Sequence, residues 1–339
     1  MKSRPILTIA VPTYNGSNTI GFMLDILLPQ INEKIEVIIS DNCSTDNTVQ
    51  IISTYIKKYP FIRYIRNERN LGADSNFLQC MRLAKGKYTL LISDDDIIIE
   101  DAVEKICDFL DENPEVTLAY LDTVEFKDRY IDKKHTTRFK DKSKPVLRNI
   151  CTKDKSEFIS YVGRQWGFTS SFLWNTDKCK TIKNPELYYG TYWLQSYIHI
   201  GCSTEKDSLL GMIAGPCIAA GAYGIINNYD IAEIEGIYYK KMLDYACETA
   251  GYNLKQLEKL WVWKICFLAS RSIIKERSIG TKKTSEKKLF CILNKYPYAW
   301  IHLFPVFLLP DFVCKYILII VRKKQGRKQL SYINRITDK

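Results

Sequence analysis

Three consecutive aspartates, Asp94–Asp96, stand between two apolar runs and are the residues of this chain best suited to chemistry. The run before them begins just after Gly86 and predicts a strand that is buried on both faces. Adjacent carboxylates repel one another unless a cation neutralises them, and oxygen ligands without histidine or cysteine suit Mg²⁺ or Mn²⁺. The triplet therefore predicts a divalent metal site at the end of a strand. A solvated acidic turn that caps a helix starting near Glu100 is the alternative.

Three further polar segments follow predicted strands in the same way, each at the point where the strand ends. They are Pro12–Gly16, Ser40–Thr48 and Asn67–Gly72, with Asn76 four residues beyond the last. Any one of them alone is typical of a turn, since Pro, Asn, Asp, Gly and Ser favour turns and helix caps. Because ligands bind at the carboxyl ends of parallel strands, four such segments in order predict one shared binding edge.

The elements that must position these segments alternate regularly over the first 125 residues. Five strand patterns are predicted, with helical patterns between them, at Ile6–Val11, Ile35–Ser40, Phe61–Arg66, Tyr88–Ser93 and Val116–Val124. This alternation is typical of an α/β fold with a mostly parallel sheet flanked by helices. Residues 230–280 carry a helical pattern, which predicts a helical carboxyl-terminal extension.

The net charge of +11 is concentrated in the last seventy residues, where lysine and arginine clusters flank an apolar block, Trp300–Val321. Pro305, Pro310, Asp311 and Lys315 interrupt this block, which predicts a hairpin or an in-plane helix on an anionic membrane surface. A buried core helix with solvated basic ends is the alternative. Nucleic acid also attracts basic chains but does not require an apolar segment, so no nucleic-acid partner is predicted.

The cysteines and the amino terminus indicate the cellular compartment of the protein. The eleven cysteines are scattered and never form a C-x-x-C pair, which argues against a disulfide framework and a structural zinc site. Such usage suits a reducing cytosol. Residues Met1–Pro5 lead straight into the first strand pattern without the apolar core of a signal peptide. These features predict a cytoplasmic protein.

The stretches IISDNCSTDNT and GKYTLLISDDDII resemble those of a known family. It is similar to family 2 glycosyltransferases, which have the Rossmann-like GT-A fold and bind nucleotide-diphosphate sugars. The resemblance spans residues 5–125 and is closest to the abequosyltransferase- and rhamnosyltransferase-like enzymes of bacterial surface polysaccharide synthesis. It implies a GT-A domain at 1–225, with a nucleotide-sugar-binding half at 1–125 and an acceptor half at 126–225. Residues 226–339 are then predicted to form a helical, basic, membrane-associating region.

The resemblance implies a donor site made of residues from all four segments: Pro12, Thr13, Tyr14, Asp41, Asn70, Gly72, Asn76 and Asp94. In it, the first three line the base and ribose, and Asp41 hydrogen-bonds the base ring, a role open to an ionised acceptor facing an imide N–H. The three residues after the third strand lie near the ribose and diphosphate, where Gly72 lets the backbone approach the ligand. Asp94 faces the ribose or the sugar.

The aspartate triplet resembles the D-x-D metal motif of the family in either of two registers. Pairing Asp94 with Asp96 reproduces the motif literally, whereas aligning the isoleucines that follow puts Ser93 and Asp95 at its two aspartate positions. Asp96 is the preferred metal ligand and Asp95 the alternative, with Mn²⁺ or Mg²⁺ as the cofactor.

The catalytic base is where the chain departs from the family pattern. Many members place a Glu-Asp pair at a helix start after the metal motif, but the matching stretch here, Leu187–Leu194, contains no carboxylate. Glu186 is the first candidate because it directly precedes that stretch, and His199 is a weaker one; Glu205 and Asp207 are also near. Aromatic residues around this stretch either stack on acceptor sugars or pack in the core; they are Trp166, Tyr188, Tyr189, Tyr192 and Trp193.

The resemblance as a whole implies an inverting, metal-dependent glycosyltransferase of the hexosyltransferase type. It would move a sugar from a nucleotide-diphosphate donor to a hydroxyl of a glycan, expected to be a lipid-linked oligosaccharide of a capsule or O-antigen. The protein is then expected to be peripheral at the inner face of the cell membrane. Because the base is missing from its usual place, a nucleotide-sugar-binding partner protein without transfer activity is the alternative.

Overall fold

The structure, a computed structural model, describes residues 4–126, 136–138, 144–221, 230–282 and 284–321. Within these residues ten strands form one sheet: β1 Leu7–Thr13, β2 Ile35–Asp41, β3 Arg63–Arg66, β4 Tyr88–Leu91, β5 Ile97–Ile98, β6 Val116–Phe126, β7 Thr136–Arg138, β8 Ile150–Thr152, β9 Phe172–Asn175 and β10 Leu209–Gly221. The α-helices are α1 Ile20–Leu27, α2 Thr48–Lys58, α3 Ala73–Leu83, α4 Ala102–Glu112, α5 Lys155–Val162, α6 Thr176–Lys180, α7 Leu194–Gly201, α8 Tyr239–Ala250, α9 Leu254–Ser278, α10 Glu286–Leu293, α11 Pro297–His302 and α12 Phe304–Phe307. A π-helix, Ala232–Tyr238, precedes α8, and residues 311–321 are also helical.

The sheet is mixed, with the order β3-β2-β1-β4-β9-β6-β10-β5. Strand β1 is parallel to β2 and to β4, and β2 is parallel to β3, as the sequence predicts. The strand predicted at residues 116–124 is β6, but it does not pair with β4, because β9 from later in the chain lies between them and is antiparallel to both. Because β9 is antiparallel to both β4 and β6, these two strands run in the same direction.

The core follows from the apolar runs that predicted the strands. All seven residues of β1 and all seven of β2 are buried, as expected for strands covered on both faces. Helix α4 buries Ala102, Val103, Ile106, Phe109 and Leu110, whose spacing of three and four residues places them on one face. The predicted α/β architecture with a helical carboxyl-terminal region is confirmed.

Contacts divide the described chain into two compact units. The first takes in residues 1–224 and 242–257 and contains the whole sheet. The second takes in residues 225–241 and 258–339, and its described regular elements are all helices. The return of residues 242–257 to the first unit has no counterpart in the predicted division at residue 225. The two predicted halves of the GT-A domain stay predictions.

Polar bonds and buried aromatic packing hold the second unit together. The indole Nε1 of Trp261 donates to the carbonyl of Glu235 at 2.7 Å, and the Lys264 ammonium lies 3.2 Å from a carboxylate oxygen of the same glutamate. The predicted apolar block forms α11, α12 and the 311–321 helix, with breaks next to Pro305 and Pro310. Among the described helices, none is long and apolar enough to cross a bilayer.

Candidate active site

The four polar segments predicted from the sequence meet at one edge of the sheet. Because β1 is parallel to β2 and β4, and β2 to β3, the carboxyl ends of all four strands lie side by side. Backbone bonds continue this pairing past the strand ends: the Asn42 amide donates to the Thr13 carbonyl at 2.9 Å, and the Asn67 amide to the Asp41 carbonyl at 2.8 Å. The register of the sheet therefore also holds the loops together.

Asp94 lies against the first loop. Its carboxylate accepts a short hydrogen bond from the Thr13 hydroxyl. A Cβ built on Gly16 would overlap the Asp94 carboxylate and lie 2.6 Å from Thr13 Oγ1, so a larger residue there would displace one of them. Burial raises the pKa of Asp94 to about 7; the bond from Thr13 opposes this rise, and the charge of Asp95 adds to it.

Asp96 and Asp95 have different surroundings. Asp96 is buried, and it accepts hydrogen bonds from the Ser170 hydroxyl at 2.6 Å and from the Gly221 amide at 2.8 Å. Burial and the charge of Asp95 raise the pKa of Asp96 to about 8. Asp95 is only half-buried, and its carboxylate accepts a hydrogen bond from the Ser93 hydroxyl. Asp96 thus ties the end of β4 to two distant segments, whereas Asp95 has the more accessible oxygens.

Asn42 organises the third loop, a role that the sequence pattern does not single out. Its Nδ2 donates to Asn70 Oδ1 at 2.8 Å and to the Gly72 carbonyl at 3.1 Å. Its Oδ1 accepts from the Leu71 amide at 2.9 Å and from Asn67 Nδ2 at 3.1 Å. The one available signal is an asparagine directly after the second strand. It lies in a segment that otherwise looks like an ordinary turn.

The first and second loops are joined through Asp46, for which the sequence predicts only a candidate role as a helix cap. Its carboxylate accepts hydrogen bonds from the Ser17 amide at 3.1 Å and from the Thr48 amide at 3.0 Å. Burial alone would raise the pKa of Asp46, but the bonds from Thr48 and Ser17 outweigh it and lower the pKa to about 2. Asp46 is therefore an ionised anchor of the first loop.

Asp41 is fully buried, and both of its oxygens already accept hydrogen bonds from the protein. The Ser44 amide and the Tyr64 hydroxyl each donate to it at 2.8 Å, and Arg66 Nε lies 3.5 Å away. Burial, together with the bond to Asp41, raises the pKa of the Tyr64 hydroxyl. The predicted contact of Asp41 with a nucleotide base stays a prediction, since a base would have to reach a carboxylate enclosed by these partners.

The remaining predicted donor residues divide into exposed and supporting ones. Tyr14 and Asn70 present their side chains to solvent, whereas Pro12 and Thr13 are buried. Asn76 is also buried and exchanges two hydrogen bonds with the residue that precedes Asp41: Ser40 Oγ donates to Asn76 Oδ1 at 2.7 Å, and Asn76 Nδ2 to the Ser40 carbonyl at 2.9 Å. Asn76 therefore holds α3 onto the end of β2.

Gly72 ends the third loop immediately before α3. Its φ of +85° lies in the left-handed region, where glycine is unstrained and other residues are not. No protein atom lies within 4 Å of a Cβ built there, so the requirement for glycine comes from the backbone conformation and not from crowding. The predicted close approach of a ligand at Gly72 stays a prediction.

Glu186, the first candidate for the base, lies in an exposed turn. Its carboxylate forms an ion pair with the Arg82 guanidinium. Hydrogen bonds from its own amide and from Arg82 hold the pKa of Glu186 below its usual value. Arg82 also lines a groove of about 800 Å³ beside the third loop, together with Asn67, Asn70 and Tyr189. The carboxylate is thus paired with a residue of that groove's wall.

A further carboxylate, Asp74, anchors the segment in which the family places its base. Asp74 Oδ2 accepts a hydrogen bond from the Gly190 amide at 2.7 Å. Burial raises the pKa of Asp74, although the backbone bonds from Gly190 and Tyr192 oppose this. Since Asp74 lies in the first turn of α3, directly after the third loop, it brings the segment around Glu186 to the same side of the site. Its acidic position in a first helical turn is, in the sequence, indistinguishable from ordinary helix capping.

His199, the weaker candidate, lies on α7 in the core of the first unit. Its ring is completely buried, with centroid distances of 4.2 Å to Phe172, 5.6 Å to Trp174 and 6.4 Å to Trp166. Burial lowers the pKa of His199 to about 3, so the imidazole is neutral at ordinary pH. A ring enclosed by aromatic side chains fits a packing role, and the assignment of either residue as the base stays a prediction.

The aromatic residues near this segment also separate into two groups. Trp166 and Trp193 are buried, which matches the core-packing alternative. Tyr188 stacks on the ring of a neighbouring tyrosine, Tyr197, at a centroid distance of 3.5 Å. Tyr192 is 54% exposed and Tyr189 37% exposed. Only these last two present a large aromatic face to an incoming ligand.

A protein-family model described as glycosyl transferase family 2 matches residues 8–169. Among curated relatives, the abequosyltransferase RfbV of Salmonella typhimurium is 27% identical over 224 residues, covering 63% of this chain and 66% of the relative. Chondroitin synthase of Escherichia coli is 26% identical over 174 residues, covering 51% of this chain and 25% of the synthase. The chain thus spans less than two thirds of the length of either relative.

Solved structures show the same fold. S. aureus TarS 1–349 in complex with UDP-GlcNAc aligns with a TM-score of 0.57 at 17% identity, covering 81% of this chain and 76% of that one. The mannosyltransferase PcManGT from Pyrobaculum calidifontis, in complex with GDP-Man and Mn²⁺, aligns with a TM-score of 0.52 at 13% identity, covering 93% and 87%. The predicted GT-A fold is confirmed by these likenesses. The chain therefore carries a glycosyl transferase family 2 domain at residues 8–169, the family that its loop motifs predict.

Proposed function

We propose that the protein is an inverting, metal-dependent glycosyltransferase that moves a sugar from a nucleoside-diphosphate donor to a hydroxyl of a surface glycan. The observation that carries the proposal is the convergence of four loops at the carboxyl edge of β1 to β4, where Thr13 contacts Asp94 and Asn42 organises the third loop. An edge of this kind is where open α/β sheets bind their ligands. The family 2 domain and the relatives named above support the same reaction class.

The donor class is supported by the ligands of structurally similar proteins. The TarS and PcManGT complexes contain UDP-GlcNAc and GDP-Man respectively, so both hold a sugar on a nucleoside diphosphate. In this chain, Tyr14 is the exposed aromatic residue of the first loop and is the candidate to cover the base. The exposed Asn70 of the third loop is the candidate to contact the ribose or diphosphate.

The acidic triplet fits a divalent cation that is shared with the donor. Among the described residues, no three His, Cys, Asp or Glu side chains are arranged as a complete metal-binding group. Mg²⁺ sites of nucleotide enzymes need no such group, because one or two carboxylates and the substrate phosphates complete the coordination. Burial raises the pKa values of Asp94 and Asp96, and a cation bound at this edge would favour their ionised forms.

Of the two registers, the surroundings favour Asp95 as the principal metal ligand. Both oxygens of Asp96 already accept bonds from Ser170 and Gly221, whereas Asp95 is half-buried and bonded only locally, to Ser93. Bound there, Mn²⁺ or Mg²⁺ would neutralise charge on the departing diphosphate. This reverses the order of preference that the sequence suggests, because the long-range partners of Asp96 are not visible in the motif.

The chemical step needs a base on the acceptor side, and Glu186 is proposed for it. The acceptor oxygen forms a bond to the anomeric carbon, the bond from that carbon to the diphosphate oxygen breaks, and the hydroxyl proton passes to the carboxylate. Glu186 is ionised and pairs with Arg82, a wall residue of the groove beside the third loop. Its low pKa makes it a weak base, so the ion pair with Arg82 must loosen when the acceptor binds.

The acceptor is proposed to be a glycan of the surface-polysaccharide type, carried on a lipid at the inner face of the cell membrane. The abequosyltransferase relative supports a bacterial polysaccharide pathway. The exposed Tyr189 and Tyr192 are candidates for stacking on acceptor sugars. The alternative, a nucleotide-sugar-binding partner without transfer activity, draws its support from the ion pair that engages Glu186.

The test has two stages. A panel of nucleotide sugars is screened for thermal stabilisation with and without Mn²⁺, and one class is expected to raise the Tm only when the metal is present. Transfer is then measured as release of nucleoside diphosphate with lipid-linked and free glycan acceptors. Failure of every nucleotide sugar to stabilise the protein would overturn the proposal, and binding without turnover on any acceptor would favour the non-enzymatic alternative.

The base is tested with Glu186→Gln, which keeps the size of the side chain and removes the carboxylate. We expect turnover to fall by at least about 100-fold, the low end for a lost general base, with donor stabilisation unchanged. Asp177→Asn is the matched control, since Asp177 is also an exposed carboxylate in an ion pair, with Arg4. Equal turnover in the two variants would place the base elsewhere.

A further inference from the structure

The 311–321 helix carries an apolar stripe that faces solvent. Phe312, Tyr316, Ile319 and Ile320 are 73%, 69%, 49% and 44% exposed. Their spacing of four, three and one residues places them on one face of a helix. Cys314, on the opposite face, is completely buried. The helix therefore packs on the protein through one side and leaves an apolar side uncovered within the part of the chain that the structure describes.

Large apolar side chains are also exposed in the segment that leads into this helix. Trp300, Ile301 and Leu308 are 53%, 69% and 85% exposed. We call these three residues and the four of the stripe the apolar surface. Single exposed apolar residues are ordinary, but seven of them within residues 300–320 of the sequence indicate a contact with a protein, a ligand or a membrane.

The apolar surface is presented by an ordered turn. The Arg277 guanidinium donates to the carbonyl of Phe307 at 2.9 Å and to that of Leu309 at 2.5 Å. The same guanidinium is held by Glu286 Oε1 at 2.6 Å. These bonds satisfy carbonyls just before Pro310, where the 311–321 helix begins. The orientation of the stripe is thus built into the second unit and does not depend on a ligand.

The charge around the apolar surface identifies its partner. Between Lys282 and Lys328 the sequence contains eleven lysines and arginines but only two acidic residues, Glu286 and Asp311. Lys315, which is exposed, lies one residue before Tyr316 and therefore borders the stripe. A second copy of the chain would bring the same positive charge against itself, and nucleic acid would leave the apolar side chains exposed. An anionic lipid surface satisfies both features.

We propose that the apolar surface inserts into the headgroup region of an anionic bilayer, with the 311–321 helix lying in the membrane plane. The inference rests on the proposed function for its purpose, since it holds the enzyme at the surface where a lipid-linked acceptor lies. It adds to that function the residues that make the contact.

The experiment uses the full chain and co-sedimentation with phosphatidylcholine vesicles, with and without phosphatidylglycerol. We expect binding only to the anionic vesicles, weakened by high salt because the lysines and arginines contribute. The double substitution Phe312→Ser with Ile319→Ser should weaken vesicle binding at least about tenfold, since two apolar side chains that would be buried in the bilayer are lost. Leu147→Ser is the matched control, because Leu147 is an equally exposed apolar residue, at 84%, elsewhere in the chain.

Three results would overturn this proposal. They are no binding of the wild type to anionic vesicles, equal binding by the double variant, and a wild-type dimer that the double variant converts to monomers while vesicle binding stays unchanged. Nucleotide-sugar stabilisation is measured on the same samples and should be equal in all of them. Its absence from the wild type would refute the proposed glycosyltransferase without touching the vesicle result, so the two failures are distinguishable.

Discussion

Gly16 offers the sharpest test of the proposed donor site at the carboxyl edge of β1 to β4, which we call the donor edge. It lies in the first loop, and its backbone conformation is open to any residue, because its φ is outside the left-handed region. The space for a side chain is missing, since a Cβ would overlap the Asp94 carboxylate and lie 2.6 Å from Thr13 Oγ1. Gly16→Ala must therefore displace Asp94 or Thr13 and disrupt the hydrogen bond between them.

The size of the effect follows from that bond. A hydrogen bond to a charged group contributes about 1.5–3 kcal/mol, and every 1.4 kcal/mol is a factor of ten in affinity. We therefore expect Gly16→Ala to weaken Mn²⁺-dependent binding of the nucleotide-sugar donor by about 10- to 150-fold. Isothermal titration with the nucleotide sugar that stabilises the wild type measures it directly, and circular dichroism confirms that the variant is folded.

Gly21→Ala is the matched control for this experiment. Gly21 lies in α1, a few residues after Gly16, and a Cβ there would meet Ile51 and Tyr55 at 3.6 Å, an ordinary contact. Alanine inside a helix is more favourable than glycine by about 0.5–1 kcal/mol, so this variant should be slightly more stable and bind normally. Wild-type affinity in folded Gly16→Ala, or equal loss in both variants, would refute the reasoning.

Two further predictions concern the triplet and the buried histidine. Asp95→Asn should abolish stabilisation by Mn²⁺ and donor, with little change in the Tm of the protein alone. Asp96→Asn should lower the free energy of unfolding by about 1–3 kcal/mol, because it disrupts the hydrogen bonds from Ser170 and Gly221. Thermal unfolding with and without Mn²⁺ measures both effects, and the reverse ranking of the two variants would contradict the assignment. Burial lowers the pKa of His199 to about 3, whereas the imidazole of the unfolded chain has a pKa of about 6.5. Below about pH 6.5 the unfolded chain therefore binds a proton that the folded chain does not, and the free energy of unfolding decreases. Relative to His199→Phe, the wild type should lose about 2 kcal/mol between pH 7 and pH 5 in urea unfolding, and a constant difference would count against the neutral buried ring.

Much of the donor edge was predictable because its signals are local. Thr13, Asp41 and the aspartate triplet each follow an apolar run directly, and strands of a parallel sheet bring such positions to one edge. The helices between the strands were predictable for the same reason, since the spacing of apolar residues in α4 is visible in the sequence. The insertion of β9 between β4 and β6 was not, because pairing between distant strands leaves no local pattern.

The sequence by itself determined which residue types stand at the strand ends, and hence the fold class and the family. Only the tertiary structure decided what each side chain does there. Asp96 is separated by 74 residues from Ser170 and by 125 from Gly221, so its enclosure, and the preference for Asp95, come from contacts that no motif contains. Likewise, the prolines of the last apolar block predicted where its helices are interrupted. Only the packing of Cys314 decided which face of the 311–321 helix is exposed to solvent.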